Sequence, residues 1–127
     1  MKPYDVVTML ALHHVRVTPK TVWSFIELVL ADGSRGWGEA TLMRATQDLG
    51  APAAAAREAL LGAPLEVVDR YVAAQGIAPL AHAAIGSALE QAAWDVRARQ
   101  AGCSAMALHG APARFSVQPG AVTVYVP

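Results

Sequence analysis

Apolar and polar residues alternate at the start of the chain. Over residues 4–17, Val7, Met9, Ala11, Val15 and Val17 share one face at the two-residue period of a strand. His13 falls on that face and His14 on the other, so these adjacent rings cannot chelate one ion together. A connector, Thr18-Pro19-Lys20-Thr21, leads to a second run, Trp23-Ser24-Phe25-Ile26-Glu27-Leu28-Val29-Leu30, rich in aromatic and β-branched residues. Asp32-Gly33 then predicts a tight turn in which Gly takes a positive φ. The return strand, residues 35–40, alternates glycine with larger side chains, so one of its faces is nearly bare. A bare strand face predicts that a helix or another backbone comes close. Three strands with short turns make an antiparallel meander.

Beyond it the period changes. Residues 41–47 read as a loop or a fraying helix start. Residues 52–61 are Ala-rich, with Pro52 suited to a first helical turn and Gly62 to a stop. Residues 65–74 predict a second short helix that ends near Gly76. The dominant helix spans residues 81–101. Ala81, Ala84, Ile85, Ala88, Leu89, Ala92, Ala93 and Val96 repeat at three-and-four spacing along one side. Trp94 projects from the opposite side, Asp95 edges the stripe, and Gly102 suits the C-cap. Ser104 starts a possible last turn to His109, and residues 121–126 read as a further strand.

Composition narrows the class. The 127 residues suit one domain, and 54% of them are apolar, enough for a core. Ten Lys and Arg balance ten Asp and Glu, so no net field favours nucleic acid or an anionic membrane. Cys103 is the one cysteine and cannot form an internal disulfide, which fits a reducing compartment. With no apolar run behind a basic start, a cytoplasmic location is expected.

The "DG..GWGEA" pattern of Asp32 to Ala40 and the "AlwD"-like run of Ala88 to Asp95 carry a resemblance. Leu108-His109-Gly110 and the closing Val122-Thr123-Val124-Tyr125 extend it in the same order. Together they resemble the N-terminal capping domain of the enolase superfamily, in its mandelate racemase and muconate-lactonising branch. The resemblance implies an α+β fold: the meander, then a small helical bundle, then the first strand of a β/α barrel. It divides the chain into a capping domain, residues 1–117, and a barrel lead-in, residues 118–127. On this reading the chain is the first third of a larger enzyme.

The same resemblance implies a parent lyase or isomerase that abstracts a proton α to a carboxylate, as in acid-sugar dehydration or racemisation. Mg²⁺ would stabilise the enediolate there, with a Lys or His as base. The family's acidic ligands and bases sit on barrel strands. Here the only lysines are Lys2 and Lys20, so no catalytic residue carries over and this chain is expected to hold no metal. The capping loops carry over instead, as residues 16–23 and 41–47. In them Arg16, Lys20 and Arg44 would favour a small carboxylate substrate, while Trp23 and Met43 would exclude water. The plainer alternative is that the cations are solvated and Trp23 packs on the strand. Glu39 is expected to accept hydrogen bonds from loop backbone, Asp95 to pair with an Arg or a backbone donor, and Cys103 to be buried. A different class also fits: a stand-alone α+β module that self-associates. Homo-oligomers are expected on either reading.

Overall fold

In a computed structural model, residues 5–103 are described. The proposed last turn from Ser104, the final strand and the boundary at residue 117 lie outside them. Three antiparallel strands, β1 (Val7–Thr18), β2 (Thr21–Leu30) and β3 (Arg35–Glu39), form one sheet in the order β1-β2-β3. A 3-10 turn at Thr46–Leu49 leads into α1 (Gly50–Leu60), followed by α2 (Leu65–Ala74) and α3 (Leu80–Ala101). The α+β fold is as the sequence predicts.

The parity of β1 differs from its sequence pattern. Val7 pairs with Leu30 and is buried, but the register then shifts before Met9. From there Leu10 faces Leu28, Leu12 faces Ile26 and His14 faces Ser24. An irregularity of one residue exchanges the two faces of a strand. Met9, Ala11, His13 and Val15 therefore lie on the outer face rather than sharing Val7's. Val15 and Val17 remain 49% and 45% exposed.

The inner face of the sheet packs on α3. Gly36 and Gly38 make that contact possible. A Cβ on Gly36 would sit 2.2 Å from the Ala92 carbonyl oxygen, and one on Gly38 would sit 1.9 Å from that of Ala88. The bare face thus has its predicted visitor, the small-residue stripe of α3. Side chains of α3 also reach around β3. The Trp37 N–H donates to Asp95 Oδ2 at 2.9 Å, and the Glu39 N–H donates to Gln91 Oε1 at 3.1 Å. These are the strand's outward donors, so the open edge of β3 is closed by a helix. Asp95 also accepts from Arg99 Nε at 3.2 Å, as expected of a carboxylate beside the stripe.

Ile85, Ala88, Leu89, Ala92, Ala93 and Val96 are all fully buried, so the periodic stripe is the core face of α3. α2 covers part of its other flank. Arg97 grips Asp69 of α2 with two bonds, of 3.1 and 2.5 Å. Its guanidinium also lies 5.4 Å from the centre of the half-buried Trp94 ring. At the end of α3, the Gly102 N–H bonds to Arg99 and the Cys103 N–H to Ala98, and Gly102 is left-handed at φ 69°. This double bond pattern satisfies the last carbonyls. It also turns the chain outward, which is why Cys103 is exposed and not buried as expected.

The β2–β3 turn has the predicted Gly33 at φ 85°. The Gly33 N–H bonds to the Leu30 carbonyl at 2.9 Å, and the Ser34 N–H to Asp32 Oδ1 at 2.8 Å. That backbone bond, with others, holds the Asp32 carboxyl below its ordinary value. A Cβ at Gly33 would meet nothing, so a substitution there tests backbone conformation alone. Gly33→Val should lower stability by about 1–2 kcal/mol, and Gly33→Asn by less, because Asn tolerates the left-handed region. Urea midpoints of the two variants check the order.

Candidate functional site

The two loops marked by the sequence leave the same end of the sheet. One is the β1–β2 connection, the other the segment after β3. The first is shorter than expected. β1 continues to Thr18 and β2 begins at Thr21, so only Pro19 and Lys20 form the turn. Val15 and Val17 lie in the strand as their spacing predicts, and Thr18, Thr21 and Val22 extend the ladder into residues 16–23, which the resemblance gave as a capping loop. The result is a two-stranded ribbon that projects beyond the end of β3.

This ribbon separates two of the five candidate residues. Arg16 pairs with Val22, and Trp23, one residue further along, pairs with Val15. Successive strand residues point to opposite faces, so Arg16 lies on the helix side and Trp23 on the outer side. Arg16 donates from Nη1 to the Pro19 carbonyl at 3.0 Å, which braces the turn. Lys20 sits at the tip, where its N–H bonds to Thr18 Oγ1 at 3.2 Å. Met43 is 86% exposed, and Arg44 beside it is the only described non-glycine residue with positive φ, at 63°. A residue so held costs on the order of 1 kcal/mol and needs firm surroundings. They are supplied by a turn in which the Ala45 N–H reaches the Leu42 carbonyl at 3.4 Å, and by Leu42 packing on the core. Among the described residues, no carboxylate pairs with Arg16, Lys20 or Arg44.

Polar residues inside β2 are the ones that sequence reading passed over. Ser24 is fully buried, and its Oγ lies 2.8 Å from His14 Nδ1. Its N–H donates to Thr41 Oγ1 at 3.0 Å, and its carbonyl accepts the Ala40 N–H at 2.8 Å. On the outer face, the buried Glu27 contacts His13 Nε2 at 2.9 Å and Arg35 Nε at 2.6 Å. The His13 ring leans on Trp37 with 5.5 Å between centroids. The two histidines thus serve opposite faces, as adjacent strand residues must. The available signal was a Ser and a Glu inside a mostly apolar strand, with His-His on the preceding strand; in register His14 stands opposite Ser24 and His13 opposite Phe25. Glu39 differs from expectation. Among the described residues its backbone, not its carboxylate, is engaged: Gln91 accepts the Glu39 N–H and donates to its carbonyl at 3.5 Å. The glycine neighbours of Glu39 bring α3 so close that the helix, not a loop, meets this strand end.

Among the described residues, no three His, Cys, Asp or Glu side chains converge as metal ligands. Mg²⁺ prefers six oxygens in octahedral array, so this residue set does not fit it. No helix among them is long and apolar enough to cross a membrane.

A three-stranded antiparallel sheet closed by α3, with two loops carried at one end, defines a domain class with known members. The N-terminal domain model of mandelate racemase / muconate lactonizing enzyme matches residues 5–110, and the chain belongs to that family. A muconate cycloisomerase from Azorhizobium caulinodans is similar at 28% identity and TM-score 0.70, over 86% of this chain and 31% of that one. A mandelate racemase/muconate lactonizing enzyme from Polaromonas sp. JS666 is 28% identical with TM-score 0.66, over 85% and 33% of the two chains. The fold is also that of a putative galactarate dehydratase from Agrobacterium radiobacter, solved with sodium and L-malate. It is 23% identical with TM-score 0.71, over 86% of this chain and 29% of that one. The chain spans about a third of the length of these solved relatives. No curated protein matches it.

Proposed function

We propose that this domain caps the barrel of a Mg²⁺-dependent lyase or isomerase and forms part of the wall over a small carboxylate substrate. In that enzyme, proton abstraction α to the carboxylate would fall to a Lys or His base on the barrel, beside the acidic residues that would hold the metal. The residues of this domain take no part in that step. Their contribution is binding and exclusion of water. The observation that carries this reading is the pair of loops at one end of the sheet, bearing cations that no described carboxylate neutralises. Arg16 and Arg44 would draw the substrate carboxylate, with Lys20 at the ribbon tip adding long-range attraction. Met43 would shield the far side from water. Trp23, on the outer face of the ribbon, would stiffen the wall from behind by packing on Val15.

Substrate-binding cations act alike in the ground and transition states, so their loss raises KM more than it lowers kcat. In the enzyme that carries this domain, Arg44→Ala should raise KM for the carboxylate substrate about tenfold, the worth of one charged hydrogen bond. The value of kcat should stay within a factor of about two. Steady-state kinetics of Arg16→Ala and Arg44→Ala check this. Unchanged kcat/KM in both variants would remove these loops from the substrate wall.

A further inference from the structure

One residue without charge or exposed surface joins the two loops. Ser24 uses all three of its polar groups: Oγ toward His14, N–H to Thr41 Oγ1, and carbonyl from the Ala40 N–H. The last two bonds prolong the β2–β3 ladder past Glu39 and carry the start of the second loop along the ribbon. The first draws in β1. A buried hydroxyl is costly unless bonded, and Ala or Val would keep the two backbone bonds, so the bond to His14 is what the Ser24 side chain supplies. The left-handed Arg44, three residues beyond Thr41, holds its conformation only while its anchor stays fixed.

We propose that Ser24 is a positioning residue, through which His14 on the ribbon fixes the loop that presents Met43 and Arg44. His14 is exposed and, among the described residues, bonds only to Ser24, yet in this arrangement it sets the place of a loop on another strand. Ribbon and loop would then move as one body, so that the spacing between Arg16 and Arg44 is preset. The consequence for substrate choice rests on the function proposed above. The mechanical linkage does not.

Amide hydrogen exchange on the 127-residue chain separates the two. Thr41→Val removes the acceptor of the Ser24 N–H and should speed exchange over residues 40–45 about two- to tenfold, the worth of one net hydrogen bond. His14→Ala should do the same, although no hydrogen bond joins the ring to those residues. His14→Asn, whose amide can also bond Ser24 Oγ, should restore slow exchange. A purely local role predicts otherwise: with His14→Ala, changes confined to residues 14–24 and unaltered exchange over 40–45 overturn the proposal. So does failure of His14→Asn to restore what His14→Ala loses. In the parent enzyme, His14→Ala should shift the ratio of kcat/KM between a short and a long carboxylate severalfold. Coupled exchange without that shift supports the linkage and refutes the substrate wall.

Discussion

Gly38→Ala should destabilise the domain by about 2–3 kcal/mol, the upper range for forcing atoms into a packed core. A Cβ at this position would lie 1.9 Å from the Ala88 carbonyl oxygen and 2.7 Å from its carbonyl carbon. Both atoms belong to helix backbone, so no rotamer change relieves the clash. Either α3 retreats or β3 bends. Retreat also lengthens the bonds from Trp37 to Asp95 and from Glu39 to Gln91, which leaves two strand donors to water. Gly36→Ala meets the Ala92 carbonyl oxygen at 2.2 Å and should behave alike. The double variant should cost less than the sum, because one retreat of α3 accommodates both. Gly50→Ala is the control: its Cβ would meet nothing within 4 Å, and it should leave the urea midpoint unchanged or slightly raised. A Gly38→Ala protein as stable as the parent would contradict the packing of α3 on β3.

The second large effect lies at the centre of the same helix. Leu89 is fully buried in the cluster shared by α3, the sheet and the shorter helices. Leu89→Ala should cost about 2–5 kcal/mol, from lost transfer energy and the cavity left behind. Small residues surround it on the helix, chiefly Ala88, Ala92 and Ala93, and they cannot swing in to fill the space. The upper half of the range is therefore expected. By contrast, Val15→Ala on the half-exposed outer face of the ribbon should stay within about 0.5 kcal/mol. Chemical denaturation of both variants, with unchanged m-values, checks the contrast.

Where local chemistry decided the outcome, the sequence could be read directly. Helix limits followed from Pro52, Gly62, Gly76 and Gly102, and the stripe on α3 from its spacing. The contact between the "GWGEA" and "AlwD"-like segments was half visible. Bare glycines implied a visitor, and a small-residue helix could be one. That Asp95 and Gln91 would serve the backbone of β3 was not visible, since a carboxylate and an amide on a helix suit solvent equally well. The parity of β1 was hidden for a different reason. An added residue near Thr8 leaves the composition of the strand unchanged while exchanging its faces. The short connector of the ribbon was visible at Thr18 to Thr21, around Pro19; what was not visible is that the ladder runs on through residues 16–23, which the resemblance gave as a capping loop. The linkage at Ser24 depends on which residue of β1 stands opposite, and that register is set by the shift before Met9.

The facing of β3 and α3 also works as a vernier. Two residues of strand advance about 6.8 Å, and four residues of helix, slightly more than one turn, about 6 Å. Gly36 meets Ala92 and Gly38 meets Ala88, while Trp37 meets Asp95 and Glu39 meets Gln91. Each step of two along the strand is matched by a step of four back along the helix. The two scales stay in phase over this one pitch and would drift apart over several more. A strand of five residues is therefore about as long as such a match can serve. Inserting or deleting a single residue between Gly36 and Glu39, or between Ala88 and Asp95, would put both glycines and both acceptors out of step together.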